Sequence, residues 1–481
     1  MKDKVILFLK GSAVLLIANL CTKAINFFLL PLYTKYLSPE QLGVSDSITT
    51  LTSLIFPILV LGLDSAYSAF YFDEKTDTYK YKVFSSVSII LIFTSIVPCI
   101  SVLASKHIAS ILFGTEEYFY IVIMALLSMS CNLWYLPFSL HLRVENRMTS
   151  FAIVNVIASC VMIVSNIITV TIMNMGAAAL IVSTLITNIV MLILYILCSK
   201  KLPSYKAFDN ILSRKMLKYS IPLVPLVVST WLLTTASRMI LLYFCGEESV
   251  GIYGIGIRFV NIVNVFANSL YTAYTTFAFS SKDDVNNKEV YITILDSMNL
   301  FLTSAVFCVC IFSTEILKIF VDAQYYQAFM LLPGLLFSQV LYASNTIVGY
   351  GLAFEKRSDM SLLCVTMAAV VSVILNFIFV PKYGTFAVSL ITWIGYGIML
   401  LATNYFSQKV FECHYNVKKI IISNFLILAI VLLSINWSLI YRVIIFIIVL
   451  SSFIFSYKET VRKLNYTFKK ILRNGKRHET D

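Results

Sequence analysis

The sequence predicts an all-α polytopic membrane protein with about fourteen transmembrane helices: two six-helix lobes in parallel repeat, plus two extra C-terminal helices. Three observations lead there. Fourteen apolar stretches are long enough to span a bilayer, basic residues gather in every second gap between them, and the second half of the chain repeats features of the first.

The stretches are 11–33, 42–66, 83–104, 118–140, 150–173, 177–199, 221–245, 250–275, 291–313, 328–352, 359–380, 385–406, 420–436 and 439–457. The first follows Lys2, Lys4 and Lys10, and no small-residue cleavage site precedes the next hydrophilic gap, so it reads as an uncleaved helix. Of the 37 Lys and Arg residues, twenty-nine lie at the N-terminus, in alternate gaps or in the C-terminal tail. The other gaps hold Lys35, Lys106, Lys318 and Lys382, and Arg442, at the edge of the last stretch, is counted with them. This asymmetry predicts a multi-pass protein with both termini in the cytoplasm. Lys23, Arg238 and Arg258 fall inside stretches.

The chain is 59% hydrophobic and only 13% charged, well below the roughly one-quarter charge of soluble proteins. Its net charge of +12 therefore suits anionic lipid on one membrane face, and no nucleic acid. The ten cysteines are dispersed without C-x-x-C and read as small packing residues. The four histidines are scattered, so no metal and no catalytic site is expected.

The repeat has an offset near 208. Tyr36–Gly43 resembles Phe244–Gly251, Glu145-Asn-Arg147 resembles Glu355-Lys-Arg357, Asn166 matches Asn376, and Gly176 matches Gly384. Six helices per copy give both lobes one orientation. The expected organisation is an N-lobe at 1–199, a cytoplasmic linker at 200–220 and a C-lobe at 221–407. Two further helices at 408–457 and a basic tail at 458–481 follow. No gap is long enough to fold as a catalytic domain, so no enzyme is expected.

A cation inside the membrane marks a functional site unless it is paired structurally. Arg238 lies eight residues before Gly246 and Arg258 seven after Gly251, which places both about 10–12 Å below one turn. Asn261, Asn264 and Asn268 share the Arg258 face, and Trp231 and Thr234 share that of Arg238. Asn19, Lys23 and Asn26 form one face of the first helix. These stripes are expected to line a cavity that attracts an anionic substrate group such as a pyrophosphate or an acidic sugar. Gln339 and Tyr342 add an amide and an aromatic suited to a glycan. Asp64 and Asp296 are the candidate ion-coupling carboxylates.

The stretch Asn26-Phe-Phe-Leu-Leu-Pro31-Leu-Tyr-Thr-Lys-Tyr-Leu37-Ser-Pro39-Glu-Gln-Leu-Gly43, then Gly62-Leu-Asp64, resembles the opening of Wzx-type polysaccharide-biosynthesis (O-antigen or capsule) flippases of the MOP exporter superfamily. Ser237-Arg238, Gly251-Ile-Tyr253, Gly176-Ala-Ala-Ala179 and Gly384 resemble that family's second-lobe start and its small-residue turn. The family often has Asp where this chain has Ser237. The resemblance implies a flippase for an undecaprenyl-pyrophosphate-linked oligosaccharide in the bacterial inner membrane, working by alternating access between two lobes. It implies no cofactor beyond proton or sodium coupling. The implied partners are the lipid-linked oligosaccharide and membrane lipid, with polysaccharide polymerase and chain-length proteins as further candidates. A lipid II flippase and a cation-coupled multidrug exporter of the same superfamily are the alternatives. A membrane glycosyltransferase or ligase fits less well, because the outward gaps are short and nearly uncharged.

Overall fold

The computed structural model describes residues 29–145, 147–280, 288–355 and 357–462, and every regular element among them is a helix. Among the described residues, eleven helices are long and apolar enough to cross a membrane, and Ala323–Met330 with Leu332–Phe354, bent by 51°, makes a twelfth if the pair is taken as one span. Two features separate this count from fourteen. Most of the 11–33 stretch lies outside the described residues. The 359–380 and 385–406 stretches fall in a single run, Ser358–Val410, of 53 residues. Straight, it would measure roughly 80 Å, against a hydrocarbon core of about 30 Å. Gly384 breaks it with φ 55 and ψ −136. Gly246 breaks Ala236–Ser280 in the same manner, with φ 77. Gly176, aligned with Gly384 in the repeat, has φ 54. A Cβ resists that region, so glycine is the residue that turns the chain there.

One compact unit runs to Arg258 and also takes in Val321–Tyr325 and Val373–Val388. Within it, Pro39–Val60 begins on a capping box: the Gln41 amide donates to Ser38 Oγ at 3.2 Å, and the Ser38 amide donates to Gln41 Oε1 at 3.1 Å. Pro39 occupies the first turn, where a missing N–H costs nothing. Every three or four residues along this helix come Pro39, Gly43, Asp46, Thr50, Ser53 and Pro57, a single face. That face meets the helical segment after Gly246 at very close range. A Cβ on Gly43 would fall 1.7 Å from the Glu247 carbonyl oxygen, and one on Gly251 would fall 1.9 Å from that of Pro39. Pro39 and Glu247, like Gly43 and Gly251, stand 208 residues apart. The contact is thus reciprocal, as at a two-fold axis. Small residues that let backbones touch hold helices together in lipid, where burying apolar surface gains little.

The 200–220 segment is docked onto this unit. The Tyr81 hydroxyl donates to Leu202 O at 2.8 Å, the Ser204 amide to Ser85 Oγ at 3.3 Å and the Asp209 amide to Ser86 Oγ at 3.2 Å. Asp209 N-caps Asn210–Ser220 and pairs with Lys82 at 3.3 Å.

The second unit comprises Phe259–Phe320, Tyr326–Ser372 and the chain from Ser389. Its Lys288–Ile311 helix packs against Leu332–Val348, Val417–Ser434 and Leu439–Ser456. The two C-terminal helices are fastened here by polar contacts. Arg442, 5% exposed, donates to Ile311 O, Thr314 Oγ1 and Glu315 Oε2 at 2.8–2.9 Å and also pairs with Glu315 Oε1. The Asn299 amide donates to Tyr457 Oη at 2.8 Å, and Trp393 Nε1 to Asn424 Oδ1 at 2.6 Å. Arg442 therefore belongs with the buried cations. From sequence, at the edge of the last apolar stretch, it counts with the gap residues.

Candidate functional site

The polar stripe of Pro39–Val60 gathers both intramembrane arginines. Arg258 Nη1 lies 3.4 Å from Asp46 Oδ2, and the two side chains are 14% and 15% exposed. One helical turn along, Arg238 Nη1 donates to Thr50 Oγ1 at 3.1 Å. Each guanidinium also faces an aromatic ring: Arg258 lies 5.8 Å from the Tyr33 centroid and Arg238 lies 5.7 Å from that of Tyr253. A further turn on, Trp231 Nε1 donates to Ser53 Oγ at 2.9 Å.

Space for the pair comes from Gly254, where a Cβ would fall 2.0 Å from Asp46 Oδ2 and 3.1 Å from Arg258 Nη1. In the repeat, Gly254 is the counterpart of Asp46, and Arg258 that of Thr50. The two copies have diverged here, so that one supplies the carboxylate and the other the guanidinium. Beside Arg238, Ser237 is buried and accepts from Asn376 Nδ2 at 3.1 Å.

Charge at the stripe does not cancel. Among the described residues, two guanidiniums meet one carboxylate on this stripe, leaving one positive charge. Arg238 Nε is moreover buried without a hydrogen-bond partner among the described residues. An unsatisfied buried donor costs about 1–3 kcal/mol, and an anionic oxygen placed there would remove that cost. Arginine's planar fork suits phosphate oxygens in particular.

The other expected site residues are dispersed. Asn19, Lys23 and Asn26 lie outside the described residues. Asn261 and Asn268 are exposed and belong to the second unit. So do Gln339, which is buried with Nε2 donating to Ser338 Oγ at 3.1 Å, and Tyr342, whose ring packs 5.2 Å from that of Tyr396. Asp64 is exposed in the first turn of Leu63–Phe70. Asp296 accepts from Thr460 Oγ1 at 3.5 Å. Asp46, the carboxylate that meets Arg258, is a residue the sequence reading misses. Its signal lay in the spacing of Gly43, Asp46, Thr50 and Ser53 along one helical face.

Residues 33–330 match the family model described as polysaccharide biosynthesis protein. The chain is 23% identical over 437 residues to an uncharacterized membrane protein, MJ1068, of Methanocaldococcus jannaschii, covering 85% of this chain and 86% of the relative. Among solved structures it is similar to a lipid II flippase, MurJ, in an inward closed conformation. There the TM-score is 0.72 at 17% identity, over 94% of this chain and 100% of that one. It is also similar to an inward-facing multidrug resistance MATE family transporter of the MOP superfamily. That comparison has a TM-score of 0.64 at 14% identity, over 84% of this chain and 95% of the other. Identities this low establish a shared fold.

Proposed function

Because the chain belongs to the polysaccharide biosynthesis protein family, we propose that it is a flippase for an undecaprenyl-pyrophosphate-linked oligosaccharide repeat unit. It moves that unit from the inner to the outer leaflet of the bacterial inner membrane by alternating access, with both termini cytoplasmic. The observation that carries the reading is the surplus of positive charge where Arg238 and Arg258 meet Asp46 and Thr50. A pyrophosphate supplies oxygens for this surplus and for the Arg238 Nε, which has no partner among the described residues. As it enters, it competes with Asp46 for Arg258.

Cation-coupled drug export calls for a carboxylate available to a cation. Asp46 is committed to Arg258, which favours an anionic substrate. The test is complementation of surface glycan in a strain lacking its own flippase, with membrane abundance measured in parallel. Wild-type protein should restore glycan, and Arg238→Ala and the neutralised pair Arg258→Gln/Asp46→Asn should not, at normal abundance. Restored glycan with both arginines removed would overturn the assignment of the site. Rescue confined to a strain depleted of its lipid II flippase would replace the substrate.

A further inference from the structure

A cavity of about 460 Å³ lies within the first unit, beside the arginine site. Three helices line it, each with one face. Pro39–Val60 contributes Thr49, Thr52, Ser53 and Phe56. Phe119–Val144 contributes Ser128 and Asn132, and Ala179–Ser199 contributes Thr184 and Asn188. Its described lining has no charged side chain, so it differs in kind from the stripe next to it.

The hydroxyls have a consistent polarity. Thr49 donates to Ser45 O at 2.8 Å, Thr52 to Thr49 O at 3.0 Å, Ser53 to Thr50 O at 2.6 Å and Thr184 to Leu180 O at 2.8 Å. Each proton is committed to its own helix, which leaves oxygen lone pairs for the cavity on Thr49, Thr52 and Thr184, while Ser53 Oγ also accepts from Trp231 Nε1. Asn188 spends its amide protons on Ser128, at 2.8 Å to Oγ and 3.2 Å to O, and so presents a carbonyl oxygen. Asn132 makes no side-chain hydrogen bond among the described residues and can both donate and accept. Phe56 and Met129 supply apolar wall.

We propose that this cavity binds an uncharged sugar of the substrate, the one joined to the pyrophosphate held by Arg238 and Arg258. The proposal rests on the flippase reading above. A ligand for these walls must donate several hydrogen bonds at once, fill a space near the lower end of ligand-pocket volumes and carry apolar faces; a sugar ring does all three. An anion finds no cation in the described lining. A hard cation such as calcium needs oxygens, usually carboxylates, converging at about 2.3–2.6 Å, which a cavity of this width does not offer. The position agrees with a sugar attached directly to phosphate. Ser53 borders the cavity and lies one turn beyond Thr50, so about 5–10 Å separates the two sites along the helix.

The test measures binding to the full chain in lipid nanodiscs. The probes are farnesyl pyrophosphate and its conjugates with single glucose, N-acetylglucosamine, rhamnose or glucuronic acid residues. At least one neutral conjugate should bind roughly 10-fold tighter than farnesyl pyrophosphate; the glucuronic acid conjugate should not. Thr52→Val combined with Thr184→Val, and separately Asn132→Leu, should erase that gain while leaving farnesyl pyrophosphate affinity within about twofold. Thr184→Ser, which keeps the hydroxyl, should retain it. The proposal is overturned if no neutral conjugate outbinds farnesyl pyrophosphate, if the variants keep the gain, or if they weaken every probe equally. A methyl glycoside that binds as tightly as its conjugate would also overturn it, by separating sugar from pyrophosphate. If wild-type protein binds neither farnesyl pyrophosphate nor any conjugate, the flippase reading itself has failed.

Discussion

Replacing Gly251 by alanine tests whether backbone contact sets the helix crossing on which the arginine site is built. The new methyl would lie 1.9 Å from the Pro39 carbonyl oxygen, and that of Gly43→Ala 1.7 Å from the Glu247 oxygen. A comfortable carbon–oxygen approach is about 3.3 Å, so the backbones must part by roughly 1.4 Å in one case and 1.6 Å in the other. Both obstacles are main chain and cannot rotate aside. Overpacking of this kind costs about 1–3 kcal/mol. One separation makes room for both methyls, so the double variant should cost little more than either single one. The resulting coupling is about 1–2 kcal/mol. The Asp46–Arg258 pair lies one turn further along, at 3.4 Å, and the same separation would carry it past the limit of an ion pair, about 4 Å. Two measurements serve: denaturant unfolding in detergent, and electron-paramagnetic-resonance distances between spin labels at Glu40 and Glu248. Wild-type stability with an unshifted label distance in Gly251→Ala, or strict additivity in the double variant, would refute the reasoning.

Further outcomes follow from the same contacts. Asp46→Asn frees Arg258 from its competitor, so farnesyl pyrophosphate should bind several-fold tighter while glycan export slows; weaker binding in a direct titration would contradict this. Arg238→Lys should restore only part of the glycan that Arg238→Ala loses, because an ammonium cannot fork across two phosphate oxygens; full restoration would show that charge alone suffices. Arg442→Ala strands Glu315 beside buried carbonyls and should cost about 1–3 kcal/mol, at the lower end of such losses because Glu315 is 36% exposed, and Arg442→Ala/Glu315→Gln should recover part of it in a thermal melt. Asp209→Ala removes a helix cap worth about 1 kcal/mol. The Leu212 backbone amide, with help from Lys82, holds the Asp209 carboxyl below the usual carboxylate range. Its stabilisation is therefore full above the unfolded pKa, about 3.9. The gap between wild type and Asp209→Ala should be constant at neutral pH and close as pH falls through the lowered value; a gap that widens in acid would exclude the cap.

Much of this was written in the sequence. Counting back from Gly246 and forward from Gly251 set Arg238 and Arg258 at one depth, and their side chains do reach one helix a single turn apart. The offset of 208 linked Gly43 with Gly251, and these two residues pack reciprocally. Periodicity names the face a residue occupies and leaves its partner open. Asp46 stands only seven residues into its helix, where a carboxylate is commonly solvated, and nothing local announces an arginine 212 residues later. Arg442 follows Trp437 at a helix start and resembles an interfacial snorkelling residue, whereas Glu315 from another hairpin draws it inside. Gln339 and Tyr342 share a helical face with the expected spacing, yet belong to the second unit, with Tyr342 packed against Tyr396.

The divergence of the repeat explains why one copy cannot do this alone. With glycines at 43 and 251, the crossing needs the same small residue in both halves, and symmetry is kept. One turn on, a symmetric site would place carboxylates at both 46 and 254, or guanidiniums at both 50 and 258. Either arrangement sets like charges a few ångströms apart in low dielectric, where repulsion is severe. Asp46 against Gly254, and Thr50 against Arg258, resolve this by giving each copy one half of the interaction. Arg238 then adds a charge that no carboxylate among the described residues balances at this stripe. A closed pair with one surplus cation can receive an anion without leaving the empty site as a bare cluster of arginines. It can also release that anion, because Asp46 is at hand to take its place.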